Sequence, residues 1–152
     1  MRLEEYLREN KVAFTTHEHE PAYTAQQMAA QEHVSGKITA KAVIVKAGEQ
    51  YVMCVLPAPS KLDLKKAAKV VGAKKARLAD ENEMAGLFPD VDVGAEPPFG
   101  NLYELQTVVD ERLIDKPEIV FQSGTHRQAI RMKYADYERL VQPTRADLAV
   151  SL

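Results

Sequence analysis

Three short stretches carry side chains that could do chemistry. The first centres on Lys41, which stands directly before the apolar run Ala42-Val43-Ile44-Val45. A strand there would hold the lysine stem rigid and leave its compact cation to meet a phosphate or the electronegative region of an ester. A solvated lysine at a strand end is the simpler reading. The second stretch is Gly94-Ala95-Glu96-Pro97-Pro98-Phe99-Gly100-Asn101. Its prolines fix φ and remove amide donors, while its glycines permit close backbone approach, so the loop can present fixed carbonyl and amide groups to a ligand. Phe99 then either offers a stacking surface or packs into the core behind a rigid connector. The third is Ser123-Gly124-Thr125-His126-Arg127, a polar turn whose hydroxyls and imidazole could line a pocket. His126 could instead bond the turn backbone. Arg127 and Arg131 suit either phosphate contacts or ion pairs with the abundant acids.

Other chemistries find less support. The sequence holds no GxGxxG, P-loop, HExxH or GxSxG pattern. Its four histidines are His17, His19, His33 and His126. In an extended His17-Glu18-His19-Glu20 the imidazoles point one way and the glutamates the other, so a metal would need a third ligand from elsewhere. A polar strand end is expected there, with no metal site. No local spacing supports a Ser/His/acid triad.

Charge adds a further feature. Residues 60–78 hold seven basic side chains (Lys61, Lys65, Lys66, Lys69, Lys74, Lys75 and Arg77) against Asp63 alone. The formal net charge of the whole chain is −2, so a segment of +6 sits on a remainder of −8. Such a stripe can orient a polyanion by attraction on one face and repulsion elsewhere. Lys61, Lys65, Lys66 and Lys69 would contact RNA phosphates without reading sequence, or remain simply solvated. No interleaved aromatic platform of the kind used by single-strand binders accompanies them.

The elements that must position these groups follow from periodicity. Leu3, Tyr6 and Leu7 predict a helix over residues 2–9, with Asn10 ending it. Residues 12–16 read as a strand. Thr24, with Gln27 three positions on, predicts a capped helix running through Ala29 and Ala30 towards His33. Residues 34–38 read as a loop. The clearest hairpin joins residues 42–45 to 51–56 through Gly48-Glu49, and Pro57 and Pro59 end it. Ser60 or Asp63 caps the next helix, which buries Leu64, Ala67, Ala68 and Val71, turns Lys65, Lys66 and Lys69 outward, and stops near Gly72. A strand over 75–78 and a short helix from Asp80 to Gly86 follow. Residues 89–101, with three prolines and two glycines, form a turn-dense loop. Strands are expected at 105–109, 118–121 and 128–132, then a helix with Tyr134, Tyr137, Leu140 and Val141 inward. The last ten residues are expected to be a loosely packed tail. Strands and helices mix without a regular βα rhythm, which predicts an α/β fold with a mixed sheet and helices around it.

At 152 residues and 45% hydrophobic content, the chain suits a single domain over 1–152 with a real core. The N-terminal MRLEEYLREN lacks the apolar stretch of a secretory leader, and residues 42–45 are far short of a membrane span of about 20 residues. A cytoplasmic protein with no membrane partner is expected. Cys54, the only cysteine, lies in YVMCVL and reads as a small buried hydrophobe.

Taken in order and spacing, three of these features resemble the YbaK/ProX-type aminoacyl-tRNA deacylases, a family similar to the editing insertion of bacterial prolyl-tRNA synthetases. They are the lysine opening the core strand in Ile38-Thr39-Ala40-Lys41-Ala42-Val43-Ile44-Val45, the basic helix Leu62-Asp63-Leu64-Lys65-Lys66-Ala67-Ala68-Lys69, and the loop from Gly94 through Pro98-Phe99-Gly100. The resemblance runs from about Leu7 to Leu140. It implies an α/β fold around a mixed, barrel-like sheet surrounded by helices, and a trans-acting hydrolase of misacylated tRNA. It implies that Lys41 positions the terminal nucleotide or aminoacyl ester and that Gly94, Pro98, Phe99 and Gly100 line the aminoacyl pocket. Ser123, Gly124 and His126 match the general position of a pocket-lining turn, without a catalytic role for His126. Activated water or the terminal ribose hydroxyl would assist the attack, with no metal, no cofactor and no covalent enzyme intermediate. Catalysis would come from placing ester, water and polar backbone together. Small amino acids such as alanine, or cysteine, are the implied cargo, and an aminoacyl-tRNA synthetase is a further candidate partner. The competing readings are a noncatalytic tRNA- or synthetase-binding module and a domain that binds a small ligand or another protein.

Overall fold

The computed structural model describes residues 2–151. Helix α1 (Arg2–Glu9) buries Leu3 and Leu7. It ends where Asn10 Nδ2 donates to the Tyr6 carbonyl and Lys11 takes a left-handed φ of 56°. The Val12 amide then closes on the Leu7 carbonyl, so Val12 belongs to the helix stop. Strand β1 therefore begins two residues later than expected, at Phe14–Glu18. Helix α2 (Ala25–Gln31) is capped as its sequence indicates: Thr24 Oγ1 accepts from the Gln27 amide, while Gln27 Oε1 reaches back to the Tyr23 amide. Residues 34–38 include a short 3-10 turn over Gly36–Ile38 started by Ser35.

The hairpin of β2 (Ala40–Ala47) and β3 (Gln50–Pro57) is the spine of the molecule. Its side chains alternate between two cores. Ala40, Ile44, Met53 and Val55 face the larger core, while Val45, Ala47, Val52, Cys54 and Leu56 face the smaller. A sheet covered on both faces needs near-continuous apolar strands, which explains why AVIV and YVMCVL carry so little polarity. Helix α3 (Leu64–Val70), capped by Asp63 through the Lys65 and Lys66 amides, packs Ala67 into the smaller core. Burial pushes the Cys54 thiol up to about 12, so it behaves as an inert hydrophobe.

Strands β4 (Ala76–Leu78), β5 (Gln106–Asp110) and β8 (Thr144–Ala146) join the hairpin in a five-stranded sheet ordered β4-β2-β3-β5-β8, mixed because β3–β5 and β5–β8 pair in parallel. Helix α4 (Glu81–Leu87) follows β4 with a full capping box from Asp80 and Glu83. A second, antiparallel sheet is ordered β1-β7-β6, from β6 (Glu118–Gln122) and β7 (Gln128–Lys133), and helix α5 (Tyr134–Val141) leaves it. A parallel bridge between Thr39 and Val120 links the two sheets. The mixed α/β expectation holds; the described residues form two linked sheets and no closed barrel.

The C-terminal segment corrects the sequence reading. It is not a loose tail: β8 pairs with β5, Leu148 is fully buried, and Ala149 nearly so. The Leu148 amide donates to buried Asp110 Oδ1 at 2.8 Å, and its carbonyl accepts from the Asp63 amide at 2.8 Å. The signal was hidden because one leucine and a set of distant hydrogen bonds, not an apolar run, do the anchoring. Leu148→Ala is expected to cost about 2–5 kcal/mol, read from the urea unfolding midpoint. A loss below about 0.5 kcal/mol, the surface range, would return the segment to a tail.

Candidate active site

Lys41 is the second residue of β2 and pairs with Leu56 of β3. Its Nζ donates to the Ala58 carbonyl at 3.0 Å. That carbonyl is itself held, since the Ala58 amide bonds to the Thr39 oxygen at 2.8 Å and to the Gly36 oxygen at 3.2 Å, between Pro57 and Pro59. Partial burial lowers the ammonium pKa below the ordinary lysine value. A compact cation drawn half out of water and aimed by a fixed acceptor is suited to stabilising negative charge on a phosphate or an ester oxygen.

Gly94 shares a cavity wall with Lys41. Two adjoining depressions share Ala25, Lys41, Ala42 and Gly94. The inner one, about 40 Å³, also has Met28, Ala40, Glu96 and Gln122 in its wall. The outer one, about 370 Å³, adds Tyr23, Thr24, Gln26 and Ala58. Lys41 and the glycine end of the loop thus meet at one cavity. Gly94 needs its hydrogen side chain there because its φ is +91°, a conformation that L side chains rarely adopt.

The rest of the loop stands behind this wall. Phe99 is fully buried, with its ring 5.2 Å from Tyr137, 5.6 Å from Phe121 and 6.3 Å from Tyr6, centroid to centroid. The structure therefore resolves the two readings of Phe99 towards the core; no stacking face is left for substrate. The Pro98 carbonyl accepts from buried Tyr137 Oη at 2.8 Å. Gly100 is required by packing, since a Cβ would lie 2.2 Å from Thr107 Oγ1 and 2.9 Å from the Leu105 oxygen. Neither Pro98, Phe99 nor Gly100 is in the wall of either depression.

The polar turn after β6 also acts from behind. Ser123 is fully buried and donates to Gln128 Oε1 at 3.0 Å. Gly124, with a φ of +100°, donates its amide to the Ala95 oxygen at 2.9 Å and accepts from the Asp92 amide at 2.8 Å. The His126 ring lies between two carbonyls, with Nδ1 3.1 Å from the Ala22 oxygen and Nε2 2.9 Å from the Val93 oxygen. Gly124 and His126 are thus a latch on the 92–95 segment, Ser123 closes its own turn onto Gln128, and none of the three is in the cavity wall. Of the residues that are, the sequence reading singled out Lys41 and Gly94 and passed over others, among them Ala25, Met28, Glu96 and Gln122. Glu96 was visible only as one letter in a loop, and Gln122 only as the polar end of an apolar strand.

A family model of the aminoacyl-tRNA editing domain matches residues 19–140. The chain belongs to that family. Its relatives include the multifunctional Ser/Thr-tRNA deacylase ProXp-y of Escherichia coli, 35% identical over 109 residues that cover 68% of this chain and 65% of that one. The match thus spans just under two thirds of that relative's length. The prolyl-tRNA editing protein ProX of Acetoanaerobium sticklandii is 26% identical over 141 residues, covering 89% of this chain and 85% of that one. Among solved structures, a "putative trans-editing enzyme for prolyl tRNA synthetase" superposes with a TM-score of 0.84 at 24% identity over 99% of this chain and 96% of the other. The hypothetical protein APE2540 gives 0.89 at 21% identity, over 99% and 100%. These two likenesses establish the shared fold.

On the surface of this editing domain, Lys61, Lys65 and Lys69 are exposed. Lys66 differs from its neighbours and from the expectation of an outward-facing cation. Its Nζ is held by Asp147 Oδ2 at 2.8 Å and by the Ala149 carbonyl at 2.7 Å. A separate open groove of about 680 Å³, lined by Lys46, Lys74, Lys75 and Arg77 among others, lies at the far end of β2 from Lys41. His17 Nδ1 contacts Glu32 at 3.1 Å and His19 Nδ1 the Glu20 carbonyl. Among the described residues no three His, Cys, Asp or Glu side chains converge as metal ligands.

Two outcomes follow from this geometry. Gly100→Ala is expected to lower stability by about 1–3 kcal/mol through overpacking, measured by thermal or urea denaturation; an unchanged midpoint would free Gly100 from its packing role. Because the fold lowers the Lys41 pKa, the unfolded chain holds that proton to higher pH than the folded one. The penalty is present at neutral pH and fades as pH rises towards 10.5. Wild type is therefore expected to gain stability relative to Lys41→Met over that alkaline window, and parallel pH profiles would contradict the burial of the charge.

Proposed function

We propose that this editing domain hydrolyses, in trans, the ester linking an amino acid to the terminal adenosine of a misacylated tRNA. One observation carries the reading: Lys41, its ammonium fixed on the Ala58 carbonyl, lines with Gly94 a cavity that is narrow inside and wide outside. A wide outer chamber suits the terminal nucleotide, and a narrow inner one suits a small amino acid. Lys41, present in both walls, then meets the ester or the adjacent phosphate at their junction. Polar backbone at Gly94 and the ammonium would stabilise charge as it develops on the ester carbonyl oxygen, while water, assisted by the free ribose hydroxyl, attacks the carbonyl carbon and the esterified ribose oxygen leaves with a proton.

The inner volume favours small cargo: alanine and cysteine by the family resemblance, and serine or threonine by likeness to ProXp-y. Exposed Lys61, Lys65 and Lys69 are proposed contacts for the tRNA backbone, with an aminoacyl-tRNA synthetase as a further partner. No described helix is long and apolar enough to cross a membrane. We place the protein in the cytoplasm, working as a single domain over its 152 residues. The two bridged sheets serve in this reading as a barrel-like wall behind the cavity.

A panel of mischarged tRNAs tests the proposal. Hydrolysis of at least one above the spontaneous rate is expected, falling about 100-fold or more in Lys41→Ala while the circular dichroism spectrum is kept. Salt-sensitive binding of uncharged tRNA with no ester cleavage would replace it with the noncatalytic module.

A further inference from the structure

The inner chamber contains two acceptors that the proposed reaction does not use. Glu96 and Gln122 are each only 6% exposed. The Gln122 Nε2 donates to the Ala22 carbonyl at 2.7 Å. That partner can only accept, which fixes the amide orientation, with nitrogen towards Ala22 and oxygen away from it. Gln122 Oε1 then has no donor among the described residues, although it is buried. Native proteins seldom leave such an atom unmet without a ligand or water to serve it.

Glu96 points to the same need. Its Oε2 accepts the Gly94 amide at 2.8 Å and its carboxylate also takes its own backbone amide, which leaves part of the roughly four acceptor positions of a carboxylate open. No ion pair joins it to Lys41 among the described residues, even though both line the chamber. Burial raises its pKa, outweighing the backbone amides and His126 that act the other way. The neighbouring wall at Ala25, Met28 and Ala42 is apolar. A space of about 40 Å³ admits one or two groups of water size.

We propose that Glu96 and Gln122 form a hydroxyl-reading subsite that selects a small hydroxylated amino acid, serine or threonine, over one of the same shape that lacks the donor. The assignment rests on the deacylase reading of this cavity. A hydroxyl entering the chamber donates to one of the two acceptors and completes its hydrogen bonding. A methyl of the same size leaves both unmet and is rejected for that reason. The α-ammonium of the substrate is the other donor to consider. Lys41 repels a second cation and the Glu96 carboxylate attracts it, so a comparison of three esters separates that role from the hydroxyl one.

One tRNA charged in turn with serine, 2-aminobutyrate and alanine provides the test. 2-Aminobutyrate has a methyl where serine has its hydroxyl. Wild type is expected to hydrolyse the seryl ester at least about tenfold faster than the 2-aminobutyryl ester. Glu96→Met is expected to bring that ratio close to one, chiefly by slowing the seryl ester. Glu96→Gln, which keeps an acceptor oxygen and the Gly94 contact, is expected to retain part of it. Equal wild-type rates on the seryl and 2-aminobutyryl esters would overturn the subsite and leave the deacylase reading intact. So would an equal slowing of all three esters in both folded variants, which would assign Glu96 to the shared α-ammonium. If Glu96→Met does not fold, the wild-type ratio and Glu96→Gln decide the matter. If wild type cleaves no ester in the wider panel, the deacylase reading itself fails, and the subsite with it.

Discussion

A lysine drawn partly out of water must find an acceptor, and in this protein the acceptor is one backbone carbonyl. Ala58 occupies the single position between two prolines where the chain still has an amide to donate, and that amide anchors it to Thr39 and Gly36. Its oxygen is thereby fixed and can fix Lys41 in turn. The β2–β3 pairing that precedes it, with Lys41 opposite Leu56, sets the root of the lysine stem. The position of the cation therefore follows from hairpin register, proline placement and one hydrogen bond, and the other wall of the cavity is organised around it.

That other wall is built by a different strategy. The Gly94–Gly100 loop lacks the regular ladder that holds a strand, so it is fastened at several points from outside. Tyr137 bonds the Pro98 carbonyl, Phe99 is surrounded by aromatic rings, and the turn at Gly124 and His126 ties the 92–95 segment to the second sheet. Two secondary-structure systems meet at the cavity, one contributing the cation and the other the enclosure.

This division explains what could be read from the sequence. Local signals stand out: the apolar hairpin, the caps at Thr24, Asp63 and Asp80, and the inner stripe of α5 all appear where periodicity and capping chemistry place them. Lys41 and Gly94 were legible as a pair because strand entry and loop composition marked each of them. For Phe99 and His126 the sequence offered both a pocket-lining and a bracing role without deciding between them, because a residue that lines a cavity and one that braces its wall look alike in one dimension. Glu96 and Gln122 were illegible for a related reason: their significance comes from burial without full partnership, a property of the folded state alone. The same is true of Lys66, which the helical pattern turns outward and the C-terminal segment draws back.

The latch formed by Gly124 and His126 has an evolutionary consequence. Because it holds the loop backbone from the far side, substitutions among the cavity's lining side chains need not disturb the frame that carries them. In the proposed reading, selectivity for one amino acid or another can then diverge through a handful of exchanges at positions such as 28, 96 and 122, with the cation and its carbonyl left as inherited. A scaffold arranged this way can be copied and retuned for different translation errors, each copy keeping the same chemistry and changing only what it admits.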